Sequence, residues 1–88
     1  MFTLIATDTF QEAYRRLPQS IRKKLDKQEA IFIANPFHPS LHTEKLVPKR
    51  LEYWSFRIDR KYRILFRFGS DRTIYLITAG THDSVYRF

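Results

Sequence analysis

Four basic side chains fall at alternate positions of two neighbouring segments. Lys61, Arg63 and Arg67 alternate with apolar residues in the second segment, and Arg57 has the same phase in the first. Alternate residues of a strand share one face of a sheet, and neighbouring strands bring such side chains to about 5 Å. Guanidinium groups at that distance repel one another unless an anion lies between them, and arginine binds two phosphate oxygens at once. We expect an anion-binding sheet face, with an ordinary solvated face as the alternative.

The end of the chain combines a histidine and a tyrosine, His82 and Tyr86, one helical turn apart. Imidazole gives and takes protons near neutral pH, and a phenol donates a hydrogen bond or stacks on a substrate. The alternative is a histidine that is structural or merely exposed. His38 and His42 lie in a proline-containing loop with no third ligand at metal-site spacing, so we expect no metal and no cofactor.

Length and charge limit the possible functions. Eighty-eight residues suit one small domain, residues 1–88. Sixteen lysines and arginines against nine acidic residues give a net charge of +7, which favours polyanionic partners, nucleic acid first and an acidic protein second. The absence of cysteine excludes disulfides and thiolate metal sites. No segment approaches the roughly 18 apolar residues of a membrane span, so we expect a cytoplasmic protein without membrane contact.

Helical periodicity comes first in the chain. An apolar segment, residues 2–6, predicts a strand, and Thr7-Asp8-Thr9 predicts a helix cap after it. Two helices should follow, the first ending at Pro18 and the second at Asn35-Pro36. Their apolar stripes are Phe10, Ala13, Tyr14 and Leu17 in the first helix, and Ile21, Leu25 and Phe32 in the second.

After Pro48 the spacing of the apolar residues changes from a helical period to a period of two residues, which is typical of β-strands. Residues 51–58, 61–68 and 73–79 predict three strands joined by short turns, which is an antiparallel meander. Its apolar face needs a cover, and the two helices offer the matching stripes. The sequence therefore predicts an α+β fold in which an N-terminal strand and a two-helix hairpin pack on an antiparallel β-sheet.

Three segments carry a resemblance to a known family. They are Tyr53-Trp54-Ser55-Phe56-Arg57-Ile58, Tyr62-Arg63-Ile64-Leu65-Phe66 and Gly80-Thr81-His82-Asp83-Ser84-Val85-Tyr86-Arg87. With the order of the elements, they resemble the RelE/ParE superfamily of type II toxin–antitoxin toxins over essentially the whole chain, and the YoeB branch in particular. The resemblance implies a toxin that cuts mRNA in the ribosomal A site without metal and is held inactive by a cognate acidic antitoxin. DNA operator contact would come only through the antitoxin complex.

The resemblance also implies roles for individual residues. Arg63 matches the arginine that holds the scissile phosphate, and Arg57 matches a basic position one strand earlier. His82 occupies the place of a catalytic arginine or histidine, and Tyr86 that of a tyrosine that orients the substrate. The spacing of Glu44 from the tryptophan resembles that of a general-base glutamate. Further RNA contacts are expected from Lys61, Arg67, Lys45, Lys49 and Arg50, and from the basic face of the second helix unless it is simply solvated.

Two alternatives stay open. A ParE-like toxin of the same fold would bind gyrase and catalyse nothing, and a non-toxic interaction module is the third possibility. The presence of His82 and Tyr86 favours the ribonuclease, because the gyrase-binding members generally lack acid–base groups.

Overall fold

The structure is a computed structural model, and it describes residues 1–46 and 52–88. Within these ranges the chain forms five strands, three α-helices and a short 3-10 helix at Pro39–Leu41. The strands are β1 (Thr3–Ala6), β2 (Glu44–Lys45), β3 (Trp54–Arg57), β4 (Tyr62–Phe68) and β5 (Thr73–Thr81). The helices are α1 (Asp8–Arg16), α2 (Gln19–Ala34) and α3 (His82–Tyr86). None of the described helices is long and apolar enough to cross a membrane.

The predicted N-terminal cap connects the first helix to the sheet. The Thr7 hydroxyl accepts from the backbone N–H of Phe10 at 3.2 Å and donates to the Leu76 carbonyl at 2.8 Å. The first bond satisfies a free amide at the helix N-terminus, and the second links that terminus to β5. At the other end, α1 stops before Pro18, as the sequence predicted.

The strands form one mixed sheet in the order β1-β5-β4-β3-β2. The β3-β4-β5 meander is antiparallel as predicted, whereas β1 joins the free edge of β5 in parallel, with Ile5 opposite Tyr75. Pairing there satisfies backbone groups that an edge strand would leave open. A shift of register between Leu65 and Phe66 marks a bulge opposite them in β5.

The two-helix hairpin covers one face of the sheet and confirms the predicted α+β fold. Phe32 of α2 stacks on Phe56 with ring centroids 4.3 Å apart and meets Phe66 edge-on at 4.9 Å. The core also includes Phe10, Leu17, Ile21, Leu25, Leu41, Ile58, Ile64, Ile74 and Leu76. The predicted apolar stripes of both helices therefore pack on the apolar face of the sheet.

The opposite face carries a smaller apolar cluster under α3, which was not predicted from the sequence. Val85 of this helix is buried and packs with Leu65 of β4 and Leu46. Because Leu65 lies between Arg63 and Arg67 along the strand, the cluster divides this face into two parts.

Candidate functional site

Two arginines are direct neighbours on the sheet face opposite the helical hairpin. Arg57 of β3 pairs with Arg63 of β4, which places their Cβ atoms about 5 Å apart. The Arg57 Nε is buried and has no hydrogen-bond partner among the described residues. Burial lowers the pKa of Arg63, and the charge of Arg57 lowers it further. A guanidinium group carries a permanent charge in proteins, so the pair is a fixed positive site with an unfilled donor.

The turn between β3 and β4 fixes the orientation of Arg63. Its Nη1 donates to the carbonyl oxygens of Asp59 at 2.8 Å, Tyr62 at 3.1 Å and Arg60 at 3.3 Å. Three backbone acceptors for one terminal nitrogen determine where the guanidinium lies. The remaining nitrogens have no partner in the described structure and can bind an anion.

The Asp59 carboxylate stabilises this turn. One of its oxygens accepts from the backbone N–H groups of Lys61 and Tyr62, both at 2.9 Å, and the other lies 3.3 Å from Nζ of Lys24 in α2. Burial is the largest single influence and raises the pKa of Asp59, but the two backbone bonds and Lys24 together outweigh it, so the pKa is lowered. The sequence predicts a turn here, but the role of this carboxylate was not predicted, although an aspartate that starts a hairpin turn is a typical signal for it.

His82 and Tyr86 form a stacked pair at the surface of α3. Their ring centroids are 4.2 Å apart with an angle of 19° between the planes, and half of the His82 side chain is exposed, at 50%. The spacing of one helical turn that the sequence indicated therefore gives direct contact. The Thr81 hydroxyl caps the helix by accepting from the Ser84 N–H at 3.3 Å.

His82 is connected to the same turn that holds Arg63. The backbone N–H of His82 donates to the Lys61 carbonyl at 2.9 Å. In addition, Arg63 pairs with Gly80, two residues before the histidine. His82 thus follows the end of β5 that adjoins the arginine pair.

Glu44 lies on the same sheet face as the arginine pair. It pairs with Ser55 across β2 and β3, and Ser55 has the same phase as Arg57. Its carboxylate is close enough to raise the pKa of Arg63, in opposition to burial and to Arg57. The site therefore has an acidic member next to its two cations.

Of the other predicted basic residues, Lys61, Arg67 and Lys45 do not pair with Arg57 or Arg63 across the strands. Arg67 is four residues from Arg63, about 13 Å along β4, with Leu65 of the small apolar cluster between them. Lys61 lies in the turn rather than in a strand. Lys45 faces Trp54, with its Nζ 5.7 Å from the ring centre, on the opposite side of the sheet. Lys49 and Arg50 lie outside the described residues.

Comparisons with known proteins identify the architecture. No protein-family model matches the chain, and no curated protein matches it. Among solved structures, the YoeB/ParE toxin from Agrobacterium tumefaciens matches with a TM-score of 0.74 at 24% identity, covering 92% of this chain and 99% of that one. YafQ from E. coli strain BL21(DE3) matches with a TM-score of 0.77 at 12% identity, covering 98% of this chain and 99% of that one.

A chain of the RelB–RelE antitoxin–toxin complex from Methanococcus jannaschii also matches. That match has a TM-score of 0.73 at 23% identity and covers 94% of this chain and 95% of that one. The chain has the RelE/YoeB toxin fold. Almost the full length of these RelE/YoeB-type toxins is matched, so the likeness includes the sheet that carries the arginine pair.

Proposed function

We propose that this protein is the toxin of a type II toxin–antitoxin module, a ribosome-dependent endoribonuclease that cuts mRNA in the A site and so inhibits translation in the cytoplasm. One observation carries the proposal: two adjacent arginines, one with a buried Nε that has no partner among the described residues, lie on the sheet end from which an exposed histidine–tyrosine stack extends. Fixed cations beside a titratable ring are the groups that RNA cleavage requires.

The chemistry uses the ribose itself. The 2′-OH loses its proton to a general base, and its oxygen attacks the adjacent phosphorus while the bond to the 5′-oxygen breaks. Arg63 and Arg57 stabilise the negative charge on the phosphoryl oxygens. His82 and Glu44 are the candidates for the base and for the acid that protonates the leaving oxygen, and Tyr86 orients the substrate. The products are a 2′,3′-cyclic phosphate and a 5′-OH end, and DNA is not cut because it lacks the nucleophile.

We propose an acidic antitoxin as the partner that keeps the toxin inactive. The charge of +7 attracts an acidic segment as well as RNA, and the M. jannaschii RelE was solved with its antitoxin RelB. Contact with a DNA operator would belong to the complex and come through the antitoxin. Binding to the ribosome and mRNA is expected to weaken with salt, because it releases counterions from phosphate.

The test is cleavage of message on purified ribosomes, compared between wild type, Arg63→Ala and His82→Ala. Arg15→Gln is the matched control, because it removes an exposed arginine of α1, a helix that packs on the sheet face opposite the arginine pair. We expect message cut within the reading frame by wild type and the control, and at least a 100-fold loss in both site variants, a typical cost of removing one charge-stabilising group. Full activity in both site variants at unchanged folding would refute the assignment.

The non-catalytic alternative makes a different prediction. A gyrase-binding toxin of this fold would leave message intact and instead cause DNA damage signalling on induction. That result with wild type would replace the ribonuclease proposal, since one fold supports both activities.

A further inference from the structure

A second feature of the site face lies on the other side of the small apolar cluster. Tyr75 of β5 pairs with Arg67 of β4 on one side and with Ile5 of β1 on the other. Ile5 and Tyr75 are 42% and 36% exposed as whole residues, and Arg67 is also exposed. We call these three residues the Tyr75 row. It crosses three neighbouring strands and presents an aromatic ring beside a guanidinium group.

The row borders an open depression of about 380 Å³. Its lining consists of Thr7, Arg67, Tyr75 and Ile77. The tyrosine ring lies against Gly69, where an added Cβ would come within 2.6 Å of Cε2. The glycine therefore leaves room for the ring in its present position, and a larger residue there would displace it.

The polar groups of the row have bonding capacity that the protein does not use. Within residues 1–46 and 52–88, Arg67 has no carboxylate partner and the Tyr75 hydroxyl makes no hydrogen bond. An aromatic ring stacks on an unpaired base, and an arginine beside it binds a phosphate oxygen. One aromatic ring with one aliphatic neighbour is a small surface that suits a single base, whereas a protein partner needs about 800 Å² of surface.

We propose that the Tyr75 row is a second contact for single-stranded RNA, in which Tyr75 stacks on a base and Arg67 binds a neighbouring phosphate. The inference rests on the proposed RNA-directed function and extends it. Because Arg67 is about 13 Å from Arg63 along β4, the base bound here belongs to another nucleotide than the one that is cleaved. The row would thus contribute to RNA affinity and not to the chemical step.

The test measures binding of a short, fluorescently labelled 2′-O-methyl RNA, which cannot be cleaved because its nucleophile is blocked. By fluorescence anisotropy, Tyr75→Ala is expected to weaken binding about 5- to 150-fold, the usual effect of losing one stacked base. Tyr75→Phe keeps the ring and should bind as wild type does, whereas Gly69→Ala should weaken binding by displacing the ring. Arg15→Gln is the control for net charge, and thermal unfolding checks that each variant is folded.

A second RNA of the same length with abasic positions separates stacking from phosphate contact. The alanine variant should bind this RNA as well as wild type does, while Arg67→Gln should weaken binding to both. Equal affinity of wild type and Tyr75→Ala for the complete RNA would overturn the proposal, as would absence of RNA binding by wild type. If Tyr75→Ala binds RNA as wild type does but binds an acidic antitoxin more weakly, the Tyr75 row contacts protein instead.

This test and that of the proposed function fail in different ways. If the protein binds the uncleavable RNA through Tyr75 but leaves ribosomal message intact, the proposal for the Tyr75 row holds and the ribonuclease proposal is refuted. If the protein cleaves message but Tyr75→Ala changes neither the RNA affinity nor KM, the ribonuclease proposal holds and the proposal for the Tyr75 row is refuted.

Discussion

Replacing Asp59 by alanine should loosen the turn that holds Arg63 and reduce both stability and RNA cleavage. The carboxylate accepts two backbone hydrogen bonds at 2.9 Å and pairs with Lys24 at 3.3 Å. Each hydrogen bond contributes about 0.5–1.5 kcal/mol, and an exposed ion pair about 0–1 kcal/mol. The expected decrease in the free energy of unfolding is therefore about 2 kcal/mol.

The proposed cleavage activity should decrease as well, because the carbonyl oxygens of Asp59 and Arg60 are among the acceptors for Arg63, and Arg63 is the group proposed to stabilise the phosphoryl oxygens. A displacement of about 1 Å in a group that stabilises the transition state costs up to about 100-fold. Asp59→Asn is the matched variant, since an amide oxygen accepts the same two backbone bonds without the charge. It should lose no more than about 1 kcal/mol of stability and cleave nearly as fast as wild type.

The pH dependence gives a second readout for this carboxylate. Its pKa is lowered in the folded state because the two backbone bonds and Lys24 outweigh the opposing effect of burial. A lowered pKa means that the charge stabilises the fold fully above the unfolded value of about 3.9 and that this stabilisation is lost as the pH falls through the folded value. The difference in the free energy of unfolding between wild type and Asp59→Asn should therefore disappear once the pH falls below the folded pKa of Asp59.

Urea unfolding followed by Trp54 fluorescence measures the stabilities, and single-turnover cleavage on ribosomes measures the rates. A wild-type cleavage rate in Asp59→Ala would refute the view that the turn positions the guanidinium. An asparagine variant as slow as the alanine variant would show that the negative charge, and not the geometry of the turn, is what matters.

Three further perturbations test other parts of the structure. Phe32→Ala removes the ring that contacts Phe56 and Phe66 and should lower the free energy of unfolding by about 3–5 kcal/mol. The thermal midpoint should drop strongly in this variant and less in Phe32→Leu. An unchanged midpoint would contradict the packing. Gly80→Ala places a Cβ 2.5 Å from the Ser84 hydroxyl oxygen and should destabilise the start of α3, with Ser84→Ala restoring stability if that clash is the cause. Burial, reinforced by the charge of Asp26, raises the pKa of Glu29 in the folded state. The free energy of unfolding therefore falls as the pH rises from the unfolded pKa of Glu29 through its raised folded pKa. Glu29→Gln should raise the urea midpoint at pH 7 and leave it unchanged at a pH below both pKa values.

The main elements could be predicted because their signals are local. Pro18 and Asn35-Pro36 end the two helices where the sequence indicated, and the alternation in residues 61–68 coincides with β4. The cross-strand neighbours Arg57 and Arg63 followed from that alternation and a short turn. These are properties of a few consecutive residues.

Features that depend on distant parts of the chain were not predicted. The helix α3 has five residues, too few for a periodic pattern, and it is placed by the burial of Val85 on Leu65. This packing separates Arg67 from the arginine pair, although both have the same phase along the strand. The parallel pairing of β1 with β5 joins residues about seventy positions apart, and no local pattern encodes it.

The β3–β4 turn connects the site to the rest of the fold mainly through backbone groups. Its carbonyl oxygens accept from Arg63, the Lys61 carbonyl accepts from the N–H of His82, and Asp59 binds Lys24 of α2. The contacts at this turn come from backbone groups, the Asp59 carboxylate and the Arg63 guanidinium, and not from the side chains at positions 82 and 86. The same frame can therefore present a ribonuclease site or a surface without catalytic groups, and in this chain the choice depends on the guanidinium, imidazole and phenol that the frame presents.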